Sequence, residues 1–329
     1  MIEYSKELKD NEALRLQLIK LVRNDGLSIA EGARALGISP RSAQLFFQGG
    51  TQWSKDFWLG FKELPETKAP AVKILFFDIE TAPCAGAVWG LWNNNISLNQ
   101  LERDWYVLSW AAKWQHEDQV IYSDKSLSWD TEDDSHLLVG IWNLLNEADI
   151  VVGQNSKRFD EKKLNARFII NGMKPPSSYR SIDTLEIAKR HFGFTSNKLE
   201  YMTGKLCKRY KKLTHGNFAG FELWKQCLKG NQEAWKEMEE YNIHDVLALE
   251  ELYDIIKPWY KSHPNLNTYT NDHGTVCVCG GRGFIHSGYH YTNLSKFDKF
   301  RCDDCGAEVR GRVNLLSPDK REFLTRNIL

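Results

Sequence analysis

The sequence predicts an α/β domain with a small all-α unit before it and a small cysteine-bound unit after it. Three observations carry this reading. The apolar run KILFF (73–77) has the length and composition of a buried strand. A second run, DIVVG (149–153), leads through a polar turn into a segment with helical spacing, which reads as strand, loop and helix. Four of the seven cysteines form two close pairs near the C-terminus, in a stretch too short to fold on an apolar core alone.

Residues 1–50 read as a separate helical unit. Ala13 to Arg23 is amphipathic, and Ser28 precedes IAEGARALG (29–37), a capped helix followed by a tight turn at Gly37. Ser39 as N-cap and Pro40 at the first helical position then open a helix running to Gln48. This resembles a helix-turn-helix, with Ala33 where the helices cross. The resemblance implies that Arg41, Ser42 and Gln44 lie on a DNA-recognition helix. A protein-docking three-helix unit is the alternative. Residues 51–71, with Pro65 and Pro70, form a linker.

The first strand of the central part ends in two carboxylates. Side chains alternate along a strand, so Asp78 and Glu80 share one face and Ile79 takes the other. Two close acids repel unless a cation lies between them, and Mg²⁺ suits one or two carboxylates plus water and phosphate. The plain alternative is a strand running into a solvated acidic loop. Asp160 begins the helix after VVGQNSKRF (151–159), a position that the helix dipole also favours for an acid. In MEEYNIHDVLALEELY (238–253) apolar residues recur at helical spacing toward Pro258, and Tyr241 and Asp245 share a face. Asp183, in RSIDTLEIA (180–188), reads as a helix cap or supporting residue, and His244 as a helix-face residue.

Together these segments resemble the DEDD superfamily of 3′–5′ exonucleases, of ribonuclease H-like fold, and most of all the proofreading domain of family B DNA polymerases. The resemblance covers roughly residues 72–260. It implies a central mixed sheet flanked by helices. FFDIET (76–81) matches the first motif with Asp78 and Glu80, VVGQNSKRFD (151–160) the second with Asn155, Phe159 and Asp160, and YNIHD (241–245) the third with Tyr241 and Asp245. The tyrosine form indicates the tyrosine subclass, because Glu240 stands where the other subclass has histidine. The resemblance implies two Mg²⁺ or Mn²⁺ ions held by Asp78, Glu80, Asp160 and Asp245, with Asp78 bridging. It implies that Tyr241 orients water, and that Thr81, Asn155 and Phe159 meet the terminal nucleotide.

From about residue 261 the chain carries CVCGG (277–281) and CDDCG (302–306), which resemble a zinc ribbon. Four thiolates, Cys277, Cys279, Cys302 and Cys305, suit one tetrahedral Zn²⁺. The first pair is one residue tighter than ribbon spacing, which leaves His273 or His286 as alternative ligands. Arg301, Arg310 and Arg312 flank the pairs, as phosphate contacts or as solvated charges.

With 329 residues the chain can hold two or three domains, and no apolar run has the length of a membrane span. The absence of a signal-peptide pattern points to the cytoplasm of a bacterium or a phage-infected cell, and cysteines there point to metal rather than disulfides. The net charge of zero hides segregation: residues 115–136 carry seven acids and one lysine, and residues 187–215 carry eight Lys or Arg and one Glu. The basic stretch reads as a phosphate-guiding groove or a solvated helix face. Trp89, Trp92, Trp105, Trp110 and Trp114 read as base-stacking or core residues. The expected partner is nucleic acid with a 3′ end, DNA before RNA, with replication or polymerase proteins as further partners. A binding adaptor with a vestigial site is the non-enzymatic alternative, and retention of all four acids and the tyrosine argues against it.

Overall fold

A computed structural model describes residues 6–23, 27–48, 54, 72–210, 216–270 and 274–328. The 51–71 linker, apart from Ser54, lies outside these, as do Lys211, Lys212 and His273. The chain divides into two compact units, 1–71 with 266–275 and 72–265 with 276–329.

The central sheet comprises β1 (Ile74–Thr81), β4 (Val107–Trp114), β5 (Val120–Asp124), β6 (Ile150–Gly153) and β7 (Arg180–Asp183) in the order β5-β4-β1-β6-β7. β1, β4 and β5 pair antiparallel, whereas β1, β6 and β7 run parallel, so the expected mixed sheet is borne out. A two-stranded ladder, β2 (Ala85–Gly86) with β3 (Leu101–Arg103), lies between β1 and β4 in the chain.

Alternation along β1 divides its labour. Leu75, Phe77 and Ile79 enter a core with Leu137, Leu138, Ile141 and Leu145 of helix α5 (Ser135–Glu147) and Leu164 and Phe168 of α6 (Asp160–Ile170). Phe76, Asp78 and Glu80 take the other face, toward the long helix α10 (Gln232–Ile256). There Phe76 meets Tyr253 edge-on with ring centroids 5.4 Å apart, and Asn242 donates to Asp78. On that face β1 therefore changes from apolar to acidic along its length. α10 changes in parallel, from Leu252 and Tyr253 to Tyr241 and Asn242. Helices α7 (Thr184–His191), α8 (Leu199–Leu206) and α9 (Phe221–Cys227) complete the domain.

Two buried ion pairs fix the layers. Lys113 on β4 reaches Glu250 of α10 at 2.6 Å. Arg167 of α6 grips Asp134 with two bonds of 2.7 and 2.8 Å, while Asp134 also accepts the Val107 backbone N–H. The acid-rich stretch is thus not purely a surface feature, since Asp134 is fully buried. Trp110 is also a core residue, donating its indole N–H to the Leu137 carbonyl, and Trp114 packs against the same core.

The other unit contains α1 (Lys6–Asp10), α2 (Glu12–Arg23), α3 (Ile29–Ala35) and α4 (Pro40–Phe47) around Leu18, Ile19, Ala33, Ala43 and Phe46. Ser28 and Glu31 form a reciprocal capping box at α3. Ser39 makes no side-chain cap bond; its extended backbone and Pro40 set the entry to α4 instead. Arg41 and Gln44 are exposed on α4, whereas Ser42 is buried, which removes it from a contact surface.

The C-terminal strands β8 (Phe284–Tyr291), β9 (Lys296–Cys302) and β10 (Glu308–Arg310) form an antiparallel sheet, and a short helix α11 (Pro318–Glu322) follows. Among the described residues no helix is long and apolar enough to cross a membrane.

Removing one partner of a buried ion pair leaves an uncompensated charge. Arg167→Ala should therefore lower stability by about 3 kcal/mol in denaturant unfolding. A loss below about 1 kcal/mol, the range of an exposed pair, would mean that Asp134 finds another partner.

Candidate active site and cysteine cluster

Asp78 and Glu80 project from the end of the central strand toward α10, where Tyr241 and Asp245 occupy one helical face. A β-bulge between Glu80 and Thr81 ends regular pairing with β4 and turns the chain just past the second acid. Asp160 is the first residue of α6 and is nearly fully buried. Its Oδ1 accepts the Ile79 backbone N–H at 3.1 Å, which ties the second acidic segment to the strand between the first two acids.

The four carboxylates feel one another. Asp78 is pushed well above the usual carboxylate range by burial, then by the charges of Asp160, Glu80 and Asp245. Burial, Asp245 and Asp160 push Glu80 up to about 8. Burial drives Asp160 to about 7 despite its backbone hydrogen bonds, and the charge of Asp183 adds to the shift. The Tyr241 phenol is raised too, first by burial and then by the charge of Asp245. This phenol stays protonated at neutral pH and serves as a donor.

Three supports lay outside the sequence expectations. Asn242, fully buried one residue after Tyr241, donates to Asp78 Oδ2 at 2.8 Å, and Ser109 on β4 donates to Asn242 Oδ1 at 3.2 Å. Trp224 of α9 lies beside Glu80, where it favours the charged carboxylate, and edge-on to Tyr241 with centroids 6.1 Å apart. The buried Asn242 left a sequence signal, since an amide at an apolar helix position needs a partner. Trp224 left none.

The second segment forms a tight corner. Asn155 has a left-handed backbone (φ 64°), and its N–H bonds Asp183 Oδ1 at 2.9 Å. Asp183 also caps α7 through the Leu185 and Glu186 N–H groups, while its buried Oδ2 has no hydrogen-bond partner among the described residues. Gly153 is required here, because a Cβ would come within 2.4 Å of Ser156. Thr81 is half-buried just past the bulge, and Phe159 is exposed beside Asp160. The Lys163 ammonium lies 3.5 Å from the Trp105 ring centre and 5.7 Å from that of Phe159.

Beside Tyr241 and Asp245 opens a cavity of about 270 Å³, walled by Lys198, Thr203, His244 and Ala248. Lys198 comes from the basic stretch and precedes α8, so that stretch contributes a cation to the wall of the cavity that Tyr241 and Asp245 also line. Trp89 and Trp92 are solvent-exposed in the β2–β3 loop.

The match to the RNase H superfamily model runs over residues 75–257, more than half of the chain and the whole of this site. The chain belongs to the RNase H superfamily. Such membership supports a nuclease, a hydrolase acting on nucleic acid and one of a class that usually uses divalent metals. No curated protein matches the chain. A solved structure that resembles this RNase H-superfamily chain is the family B DNA polymerase from the hyperthermophilic archaeon Pyrobaculum calidifontis, with a TM-score of 0.41 and 16% identity over 57% of this chain and 26% of that one.

The donor sets fit two kinds of ion. The all-oxygen carboxylate group, destabilised by its own repulsion, suits hard Mg²⁺ or Mn²⁺. Far from it in the chain, Cys277, Cys279, Cys302 and Cys305 bring four Sγ atoms within 4.8 Å of one another, a soft set that could hold zinc. The tight Cys277–Cys279 spacing is accommodated, with Cys279 Sγ 3.6 Å from Cys302 and Cys277 Sγ 3.7 Å from Cys305. His286 instead faces Asp298 at 3.2 Å. Among the described residues this is the one group of metal-type donors drawn so close.

Glu80 and Asp160 hold protons in the folded chain at pH values where unfolded carboxylates, near 4.5 and 3.8, have lost them. Their contribution is fully present below those values and disappears as pH rises through about 7 and then about 8. Thermal melts without added divalent metal should therefore show falling stability across this window, and Mg²⁺ should reverse the trend. A flat profile would mean that the acids do not repel as described. Metal analysis should return about one zinc per chain, reduced in Cys279→Ser; zinc-free protein with an ordered C-terminal sheet would exclude a structural role for the ion.

Proposed function

We propose that the chain is a 3′–5′ exonuclease of the tyrosine DEDD type, acting on DNA. The observation that carries this reading is that acids from three segments, Asp78 and Glu80, Asp160, and Asp245, gather around one strand end beside Tyr241, with Asp160 bonded to the Ile79 N–H and Asp78 to Asn242. Asp78, Glu80 and Asp245 would hold one divalent ion, and Asp78 with Asp160 a second. When bound, divalent ions there would supply activation of water and stabilisation of the leaving oxygen of a phosphodiester.

The remaining roles belong to the chain itself. Asn242 fixes the orientation of Asp78 by donating to its Oδ2, and Trp224 packs beside Glu80 and Tyr241. Tyr241, protonated and aimed at Asp245, positions an attacking water without acting as base. Lys198 in the adjoining cavity offers a cation to a phosphate. Thr81, Asn155 and Phe159 would receive the terminal nucleotide; the exposed Phe159 ring gives a base a surface to stack on. The helical unit within 1–50 would act as a helix-turn-helix through Arg41 and Gln44. The cysteine cluster would hold the segment from 261 onward as a zinc-bound module. Bacterial or phage DNA replication, repair or degradation is the context this combination suggests, with RNA as the alternative substrate.

With Mg²⁺ or Mn²⁺, a 5′-labelled strand should shorten as a ladder, and comparison of single-stranded DNA, duplex DNA and RNA identifies the substrate. Asp78→Asn should abolish turnover in a folded protein. Tyr241→Phe should reduce turnover by about 10²-fold without removing it. Equal cutting of circular and linear single strands would replace the exonuclease reading with an endonuclease.

A further inference from the structure

The C-terminal sheet has an open face that the nuclease reading leaves unused. Strict alternation along β8 would put Phe284 and His286 on one face and Tyr289 and Tyr291 on the other. Pairing with β9 prevents this. His286 pairs with Phe300 and Gly288 with Lys299, so Ser287 is an extra residue, and Gly288 takes φ +102° to complete the bulge. The bulge brings all four side chains to one face.

The ring contacts agree with this register. Phe284 and His286 lie 6.4 and 5.6 Å from Phe300, His286 lies 5.6 Å from Tyr289, and the Lys296 ammonium lies 3.7 Å from the Tyr289 ring and 5.9 Å from that of Tyr291. One stripe of rings thus runs away from the cysteine cluster. Its inner end, Phe284, packs on the cysteines. Its outer end is open, with Tyr289 44% and Tyr291 65% exposed. Asp298 is the one acid that the register puts on this face, and it is engaged by His286.

We propose that this face is a stacking surface for single-stranded nucleic acid. Ring-by-ring contacts explain the inner half, because cross-strand aromatic pairs stabilise a sheet. They do not explain the continuation into solvent, where a contiguous stripe marks a contact surface. Charge selects the partner. Residues 276–328 carry nine Lys or Arg against six Asp or Glu, and Lys296 stands among the exposed rings. Rings interleaved with a cation match unpaired bases on a phosphate backbone, each base contributing stacking that tolerates any sequence. Gly288 is then a functional requirement, since it places the two tyrosines in line with His286.

The test is binding, so it stands apart from the nuclease reading. A fluorescein-labelled oligothymidine is titrated by anisotropy into the full zinc-loaded chain, in an Asp78→Asn background that prevents digestion. Tyr289→Ala with Tyr291→Ala should weaken binding by about tenfold or more, while the two Tyr→Phe changes should retain it. Binding to an abasic tract of equal charge should not change. If the alanine pair lowers zinc content, Tyr291→Ala at the exposed end carries the same comparison. Unchanged binding, an equal loss on the abasic tract, or a shift in self-association without a change in binding would each overturn the proposal, the last in favour of protein docking.

Discussion

Four carboxylates that repel one another are held around the end of one strand, and much of the surrounding structure answers to that repulsion. Burial and charge work in the same direction on Asp78 and Glu80, so both acids hold their protons more tightly than free carboxylates do. Such a cluster persists only where other interactions over-determine it. Asn242 and Ser109 restrain Asp78, Trp224 packs beside Glu80, and the Ile79 N–H restrains Asp160. A bound cation would convert the same repulsion into attraction.

The supports are rigid because they sit on regular elements. Two acids lie on the central strand of five, one opens α6, and the fourth shares a face of α10 with Tyr241. The Lys113–Glu250 pair fastens α10 to the sheet near the apolar end of β1, and the Arg167–Asp134 pair fastens α6 behind it. By contrast, the parts expected to meet the terminal nucleotide, Asn155 and Phe159, occupy a corner whose left-handed residue is held by Asp183. The proposed metal ligands thus sit on regular elements and the proposed nucleotide contacts on a loop.

Much of the fold was legible in the sequence. Alternation alone places Asp78 and Glu80 on a common face, and helical spacing alone pairs Tyr241 with Asp245. Capping residues located α3 and α7. What was hidden depended on tertiary partners. Asp134 looks like one more acid in an acidic stretch until Arg167 arrives from α6. Ser42 looks like a recognition residue until its helix packs. Trp110 and Trp114 cannot be told from stacking residues until the core closes over them. The Ser287–Gly288 bulge is invisible for the same reason, because a register exists only between two strands.

The separation of Asn242 from Asp78 by 164 residues has a consequence for the order of assembly. Chains emerge from synthesis N-terminus first, and contacts of long sequence separation form late. β1 can pair with β4 soon after both are made, yet the helix that supplies Tyr241, Asn242 and Asp245 follows only after β6, β7 and their helices. A nascent or truncated chain therefore carries two or three of the acids without the fourth. The proposed hydrolytic competence would thus be a property of the finished domain, arriving with the element that also covers the sheet, and a half-made protein would present an incomplete centre to the nucleic acid around it.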